Sequence, residues 1–412
     1  MPESRTALAA AVLDGPADLR TPSGEPLAAR VDRRCEELAA GGLRAGQVQR
    51  VRPGRDGQEL VDALACWKLD AVAWMSPGDA TDPPARPVPT QAAVLQETSG
   101  STGRGRLVAR SADSLLVEAA GYAAGLDLRA GERVRVPVPV VHSFGWGVAL
   151  AALLADCVVD ARPLARPGGV TADVDSGACS VLALTPASAS LLVETPRTGP
   201  ARPRVLLIGA GVVSPGLAQA VRERFGVEAT RGYGSTETGG TFLGETGIGS
   251  PVAGVEVVAP APGATGELVL RLAAPPLGYV DDPHDPAALW RTGDVVERAG
   301  SGPFRFAARR SGPVRVNGRF VEVEPFVVAA KAVAGVDDVV VLVAPHPARP
   351  GVEVLTLVTE APGADRGEVR RAVADLGGRH VVPRVRVVDR LPRTALGKVD
   401  RAALEQLVAD DA

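Results

Sequence analysis

Between residues 92 and 233, short apolar runs alternate with helical patterns, and this alternation constrains the fold more than any other feature of the chain. The runs at 92–96, 133–137, 181–184, 205–208 and 229–233 have strand length. Between them, 114–124, 146–155, 186–193 and 215–225 read as helices. Strands that alternate with helices favour a mainly parallel sheet with helices on its faces. Upstream, helices are predicted at 27–40 and 58–69, the second feeding a strand at 71–75. From 251 the long helices stop, and runs at 255–258 and 267–271 predict a small β subdomain over about 251–308. The last hundred residues predict a compact α+β unit. Its helices lie at 324–333 and 368–376 and its strands at 339–343, 354–359 and 385–388, with 304–308 and 314–316 as a hairpin at its start. The expected organisation is a large α/β domain over 1–308 and a small domain over 309–412, the latter of ordinary size for an independent unit.

Composition removes several classes of function. The 412 residues carry 45 basic and 48 acidic side chains, a net charge of -3, so the basic excess of a nucleic-acid protein is missing. No apolar stretch reaches membrane-span length, and the start lacks a basic region followed by a long apolar run; a cytoplasmic, non-membrane protein is expected. Cys35, Cys66, Cys157 and Cys179 are widely spaced with no CxxC pair, which predicts buried thiols rather than a zinc site or disulfides. Arginine supplies nearly all the positive charge. Lys68, Lys331 and Lys398 are the three lysines, so each stands where arginine did not replace it.

Four short segments concentrate polar chemistry. Thr98, Ser99, Gly100, Ser101, Thr102 and Gly103, followed by Arg104, Gly105 and Arg106, come directly after a predicted strand. Glycines let a backbone turn tightly and aim N–H groups at phosphate oxygens, hydroxyls add donors, and Arg106 adds fixed charge. The spacing is not that of the GxxxxGK[ST] phosphate loop, so these residues alone fit a flexible turn equally well. Gly232-Tyr233-Gly234-Ser235-Thr236-Glu237 also closes a strand; its carboxylate suits Mg²⁺ beside a nucleotide, because magnesium prefers hard oxygen ligands and bound phosphates. In Trp290-Arg291-Thr292-Gly293-Asp294 the carboxylate has the chemistry to accept hydrogen bonds from a ribose, although Thr-Gly-Asp is in isolation only a turn. The run 391–401, LPRTALGKVDR, is either a solvated basic turn or a loop that carries Lys398 to a carboxylate or phosphate.

In this order the four segments resemble the signature of the adenylate-forming superfamily of acyl- and aryl-CoA synthetases, peptide-synthetase adenylation domains and luciferases, over about residues 28–404. Thr98–Gly103 matches that family's TSGSTG, and Tyr233, Gly234, Ser235, Thr236 and Glu237 match YGxTE. Thr292, Gly293 and Asp294 match TGD, while Pro392, Arg393, Thr394, Gly397, Lys398 and Arg401 match PRTxxGKxxR. PVVHSFG at 139–145 resembles its segment beside the acyl pocket, IGAGVVSP at 208–215 resembles its glycine-rich strand-turn before YGxTE, and Arg309 with 314–318 resembles its hinge.

The resemblance implies an adenylate-forming fold with a small mobile C-terminal domain, and a reaction in which a carboxylate and ATP give acyl-AMP and pyrophosphate. Thr98, Ser99, Gly100, Ser101, Thr102 and Gly103 would enclose the phosphates, with Arg106 supplying the charge. Thr236 would contact the α-phosphate and Glu237 would bind Mg²⁺; Tyr233 and Gly234 would lie at the adenine, Asp294 and Arg309 at the ribose. Lys398 would bridge the carboxylate and the phosphate oxygens. His142, Phe144, Trp146, Gly209 and Gly211 would line the acyl pocket, although His142, Phe144 and Trp146 are each also normal core residues on an apolar segment. His142 stands where related peptide-synthetase domains place an Asp for an amino group, which favours an aryl or modest acyl acid over a free α-amino acid. The acceptor is expected to be a thiol, of coenzyme A or of an acyl carrier protein's phosphopantetheine, as in secondary metabolite biosynthesis.

The chain also departs from the family. Gly105 and Arg106 replace Pro and Lys, Ser311 stands at the hinge in place of Asp or Lys, and the region before Thr98 is short. These departures keep two alternatives open: transfer of the adenylate to an amine or other nucleophile, and a non-catalytic nucleotide-binding relative.

Overall fold

The computed structural model describes residues 4–20, 24–77, 87–98, 106–285, 287–300, 302–309, 314–316, 319–321, 323–345, 353–374, 376, 382–394 and 399–409. The chain divides into two compact units, Met1–Val257 with Leu270–Trp290 and Val258–Val269 with Arg291–Ala412.

The first unit is built on two sheets. The eight-stranded sheet runs Asp18–Leu19, Val158–Asp160, Arg133–Arg135, Val181–Leu184, Val205–Ile208, Ala229–Ser235, Gly239–Gly244, Ser250–Pro251. Its strands are parallel up to Ala229–Ser235, and the last two join antiparallel. The six-stranded sheet runs Asp282–Pro283, Gly278–Tyr279, Leu107–Ser111, Ala92–Glu97, Val72–Met75, Val48–Val51. Only its last three strands are mutually parallel. The sheets are thus mixed. Antiparallel neighbours pair on either side of the two polar motifs, Ala92–Glu97 with Leu107–Ser111 and Ala229–Ser235 with Gly239–Gly244.

The helices follow the expected pattern. Ser143–Leu154 is apolar on every side, and Gly145–Leu153 is buried throughout, as an all-round apolar helix must be. Its Trp146 packs edge-on against Trp67 of the helix Gln58–Lys68, ring centroids 5.5 Å apart, in the main core. An element that periodicity did not indicate opens the chain. The helix Arg5–Leu13 is capped by the Ser4 hydroxyl and buries Leu8, Ala9 and Val12. Arg5 Nε donates to Asp70 Oδ1 at 2.9 Å, and its Nη1 donates to the carbonyls of Thr90 and Ala92. Its alanine-rich sequence carries little amphipathic contrast, so tertiary packing selects it rather than a polar–apolar stripe.

At the carboxyl ends of Arg133–Arg135 and Val158–Asp160, the fully buried Asp160 meets Arg135, Arg162 and Arg20, with Asp173 alongside. Burial alone would raise the Asp160 carboxyl; the Arg162 hydrogen bonds and the charges of Arg135 and Arg162 reverse the sign and hold it below the usual carboxylate range.

The second unit carries most of a four-stranded sheet in the order Val255–Ala259, Thr265–Leu272, Trp290–Arg298, Phe304–Arg309, of which the last strand lies wholly and the first three lie partly within its bounds. It also holds the three-stranded sheet Asp338–Pro345, Glu353–Glu360, Arg384–Val388. One apolar cluster contains Val295, Phe326, Leu355, Leu357 and Val369, so the strand of the TGD segment shares a core with the C-terminal helices. The expected hairpin between 304–308 and 314–316 does not form. Phe304–Arg309 pairs with Trp290–Arg298, and Val314–Val316 pairs with Arg319–Val321.

Candidate functional site

The strand Ala229–Ser235 ends in a three-residue turn, 236–238, and returns as Gly239–Gly244, so Thr236 and Glu237 occupy the tip of a hairpin. Strand register shifts between Tyr233 and Gly234, where a Cβ would overlap the backbone of Gly239. The turn is braced internally. Thr238 N–H donates to Ser235 Oγ at 3.3 Å, and the two hydroxyls lie 3.2 Å apart. Tyr233 packs edge-on against Phe242 on the returning strand, at 5.6 Å between centroids.

A second hairpin carries the other polar segment. Thr98 N–H donates to the carbonyl of Arg106, and Arg106 N–H donates to Thr98 Oγ1 at 3.0 Å, which pins together the two ends of the Gly/Ser/Thr loop. Ser99, Gly100, Ser101, Thr102 and Gly103 lie outside the described residues.

Tyr279, which sequence reasoning missed, connects the two hairpins. Its hydroxyl donates to Glu237 Oε1 at 2.6 Å, and the Arg106 guanidinium lies over its ring at 3.4 Å from the centroid. Arg106 also reaches Asp281 and Asp282 at 3.3 and 3.2 Å. Burial would lower the guanidinium pKa, but the hydrogen bonds to Asp282 and Asp281 outweigh it and raise the value. A signal was available in the composition. The chain has three tyrosines, and Tyr122, Tyr233 and Tyr279 all touch the one hairpin.

The residues expected at the acyl pocket divide. Phe144 lies against the Gly209 backbone, where a Cβ would overlap its ring, and it also approaches Gly232. Gly211 abuts Pro186 in the same way. His142 precedes the helix Ser143–Leu154 at its N-cap, half-buried, and accepts Trp146 N–H on its carbonyl. Trp146 is 1% exposed within the core against Trp67, so its surroundings are those of a packing residue.

In the second unit, Asp294 is buried and pairs in strand register with Arg309. Its N–H donates to Thr292 Oγ1, whose hydroxyl donates to the carbonyl of Leu268. Ser311 and Lys398 lie outside the described residues.

The four cysteines are buried and unpaired by disulfides. Burial pushes Cys66 and Cys179 up to about 12 and Cys157 up to about 11, which leaves them protonated and inert at neutral pH. Among the described residues no group of three or more His, Cys, Asp or Glu could hold a metal, and no helix is long and apolar enough to cross a membrane. A single carboxylate such as Glu237 has the chemistry of a Mg²⁺ site, since magnesium binds through one or two carboxylates plus substrate phosphates. A groove of about 610 Å³ lined by Glu37, Gly41, Gln47 and Val88 holds none of the motif residues, so convergent chemistry rather than volume locates the site.

Comparison with known proteins agrees with this geometry. Residues 27–280 match the family described as AMP-binding enzyme. The chain is 31% identical over 359 residues to a probable non-canonical nonribosomal peptide synthetase, CymA, of Salinispora arenicola, covering 78% of this chain and 4% of that protein. It is 26% identical to an indoleacetate–CoA ligase of Aromatoleum aromaticum, covering 81% of this chain and 70% of the ligase. The fold matches that of ATP-bound MatB from Rhodopseudomonas palustris with a TM-score of 0.73 at 19% identity, over 98% of this chain and 99% of that one. The chain therefore spans a small part of the peptide synthetase and about the whole of the MatB chain.

Proposed function

Because the chain belongs to the AMP-binding enzyme family of the adenylate-forming superfamily, we propose that it activates a small aryl or acyl carboxylic acid with ATP and passes the acyl group to a thiol of coenzyme A or of a carrier protein. In the first step a carboxylate oxygen attacks the α-phosphorus, the bond to the bridging oxygen breaks, and pyrophosphate leaves. In the second, the thiol sulfur attacks the carbonyl of the mixed anhydride, AMP departs, and the thiol proton is released. Neither step needs an oxidant or a covalent enzyme intermediate. The protein's contribution is positioning and charge stabilisation.

The observation that carries this reading is the link Arg106–Tyr279–Glu237. It ties Arg106, at the end of the Gly/Ser/Thr segment, to the carboxylate hairpin, and so supports a site in which a triphosphate held by that segment would also reach Glu237. Mg²⁺, when bound, would neutralise triphosphate charge, and Glu237 would be its protein ligand. Thr236 at the hairpin tip would contact the α-phosphate, and Arg106 would supply the fixed charge that lysine gives elsewhere in the family. Asp294 and Arg309 would hold the ribose and Tyr233 the adenine. Lys398 would complete the site in the adenylating state, with the boundary of domain movement near 309–312. The apolar surroundings of Phe144 and Gly209, together with the indoleacetate–CoA ligase relative, support an aryl or modest acyl acid.

Pyrophosphate release with ATP across a panel of aryl and short acyl acids tests the reading, and coenzyme A, a carrier protein and an amine added in turn identify the acceptor. Release with an aryl or acyl acid is expected. ATP binding without release for any acid would reject it in favour of a nucleotide-binding module.

A further inference from the structure

Beneath the Glu237 hairpin lies a buried ion pair that none of the sequence motifs contains. Arg110, on Leu107–Ser111, is 1% exposed, and Glu118, on the helix Ala112–Gly125, is 3% exposed. Arg110 Nη1 donates to Glu118 Oε2 at 2.6 Å, and Nη2 donates to the carbonyl of Ser114 at 2.9 Å. The other carboxylate oxygen is committed to the hairpin, where Gly240 N–H donates to Glu118 Oε1 at 2.8 Å. Glu237 stands three residues before Gly240.

The surroundings are shaped to this carboxylate. A Cβ at Gly147 or at Gly239 would overlap Glu118, and one at Gly240 would overlap Tyr122. Gly239 has φ +70°, so the returning strand begins in a backbone conformation that L side chains rarely adopt, directly against Glu118. Stability alone does not account for the pair. Well-packed apolar residues in place of a buried ion pair are often neutral or stabilising. What apolar residues cannot supply is an acceptor for the Gly240 N–H.

We infer that Glu118 is a positioning residue for the Glu237 turn: the bond from Arg110 orients its carboxylate, and the hydrogen bond to Gly240 fixes the hairpin so that Glu237 faces the metal–triphosphate. This rests on the adenylation reading for the role of Glu237, whereas the hold on the hairpin stands independently of it.

Two double variants isolate the hydrogen bond from the charge pair. Arg110→Met/Glu118→Gln removes both charges and keeps an acceptor for Gly240; Arg110→Met/Glu118→Met removes both charges and the acceptor. Melting confirms folding, hydrogen exchange over 236–242 reads the hairpin, and calorimetric titration of ATP with and without Mg²⁺ reads the metal site apart from turnover. The glutamine pair is expected to exchange like the parent and to bind Mg·ATP within about twofold of it. The methionine pair is expected to exchange about tenfold faster over 236–242 and to lose about tenfold in Mg·ATP affinity, with metal-free ATP affinity unchanged. Identical behaviour of the two variants would overturn the inference, as would faster exchange with unchanged Mg²⁺ dependence. If the methionine pair does not fold, the glutamine pair decides: retained Mg²⁺ dependence supports the inference and its loss overturns it. Failure of the parent to bind ATP would instead reject the adenylation reading, and the exchange data would still report on the hairpin.

Discussion

The Tyr279 hydroxyl donates to Glu237 Oε1 at 2.6 Å, joining residues 42 positions apart in the chain. The bond orients one carboxylate oxygen; in the proposed site the other would face Mg²⁺. Tyr279→Phe keeps the ring beneath Arg106 and removes only the donor. Hydrogen bonds to charged groups contribute about 1.5–3 kcal/mol. Pyrophosphate release by Tyr279→Phe should therefore need at least about tenfold more Mg²⁺ for half-saturation, with little change in melting temperature. An unchanged Mg²⁺ requirement would remove Tyr279 from the site.

Glu237→Gln keeps the shape of the side chain and removes the charge proposed to bind the metal. Loss of one preorganised electrostatic group commonly costs about 2.7–4 kcal/mol in barrier. Adenylation should fall about 10²–10³-fold while the fold survives. Equal pyrophosphate release by variant and parent, from limiting to saturating Mg²⁺, would reject the metal role.

Much of this was legible in the sequence, and the missing part has a physical cause. The strands 181–184 and 205–208 and the helix 215–225 appear as read, because each is a short apolar run or an amphipathic turn set bounded by Gly or Pro. The Tyr233–Glu237 turn was legible because its glycines and carboxylate lie within six residues. Tyr279 and the Arg110–Glu118 pair were not, because their meaning lies in contacts between distant strands and helices that leave no local pattern. Trp146 illustrates the opposite difficulty. A tryptophan on an apolar helix beside a pocket segment suits either core or pocket, and its packing against Trp67 is a contact that local sequence does not encode.

Lys398→Ala should depress acyl-AMP formation by about 10²–10³-fold, the scale of losing one donor at a developing charge. ATP binding should persist. Thioester formation from presynthesised acyl-AMP should be largely spared, because in the proposed cycle that half-reaction would use a rotated state. A solvated lysine would alter stability within about 0.5 kcal/mol and leave both half-reactions at the parent rate. Measuring the two half-reactions separately distinguishes these outcomes.

Asp160 governs a different property. Its folded pKa is held below the unfolded value of about 3.9, so its contribution is present above about pH 4 and is lost as pH falls through the lower folded value. Asp160→Asn leaves Arg135 buried with a weakened partner set. Breaking a buried pair costs about 3–5 kcal/mol. The variant should melt at lower temperature at pH 7 and show a flatter decline below pH 4 than the parent. Parallel acid limbs in the two melting profiles would show that Asp160 does not carry this dependence.

The close fit of Gly147, Gly239 and Gly240 to Glu118 and Tyr122 has a consequence for how this chain can vary. No one of these glycines can accept a side chain while its neighbour keeps full size, so the positions are epistatic and single steps away from the present combination are closed. Gly240→Ala should be deleterious alone and recover when Tyr122→Leu opens the space its Cβ needs. Homologues that drifted across this region would then differ at both members of such a pair, and residues buried under the hairpin would set which catalytic turns the lineage can explore.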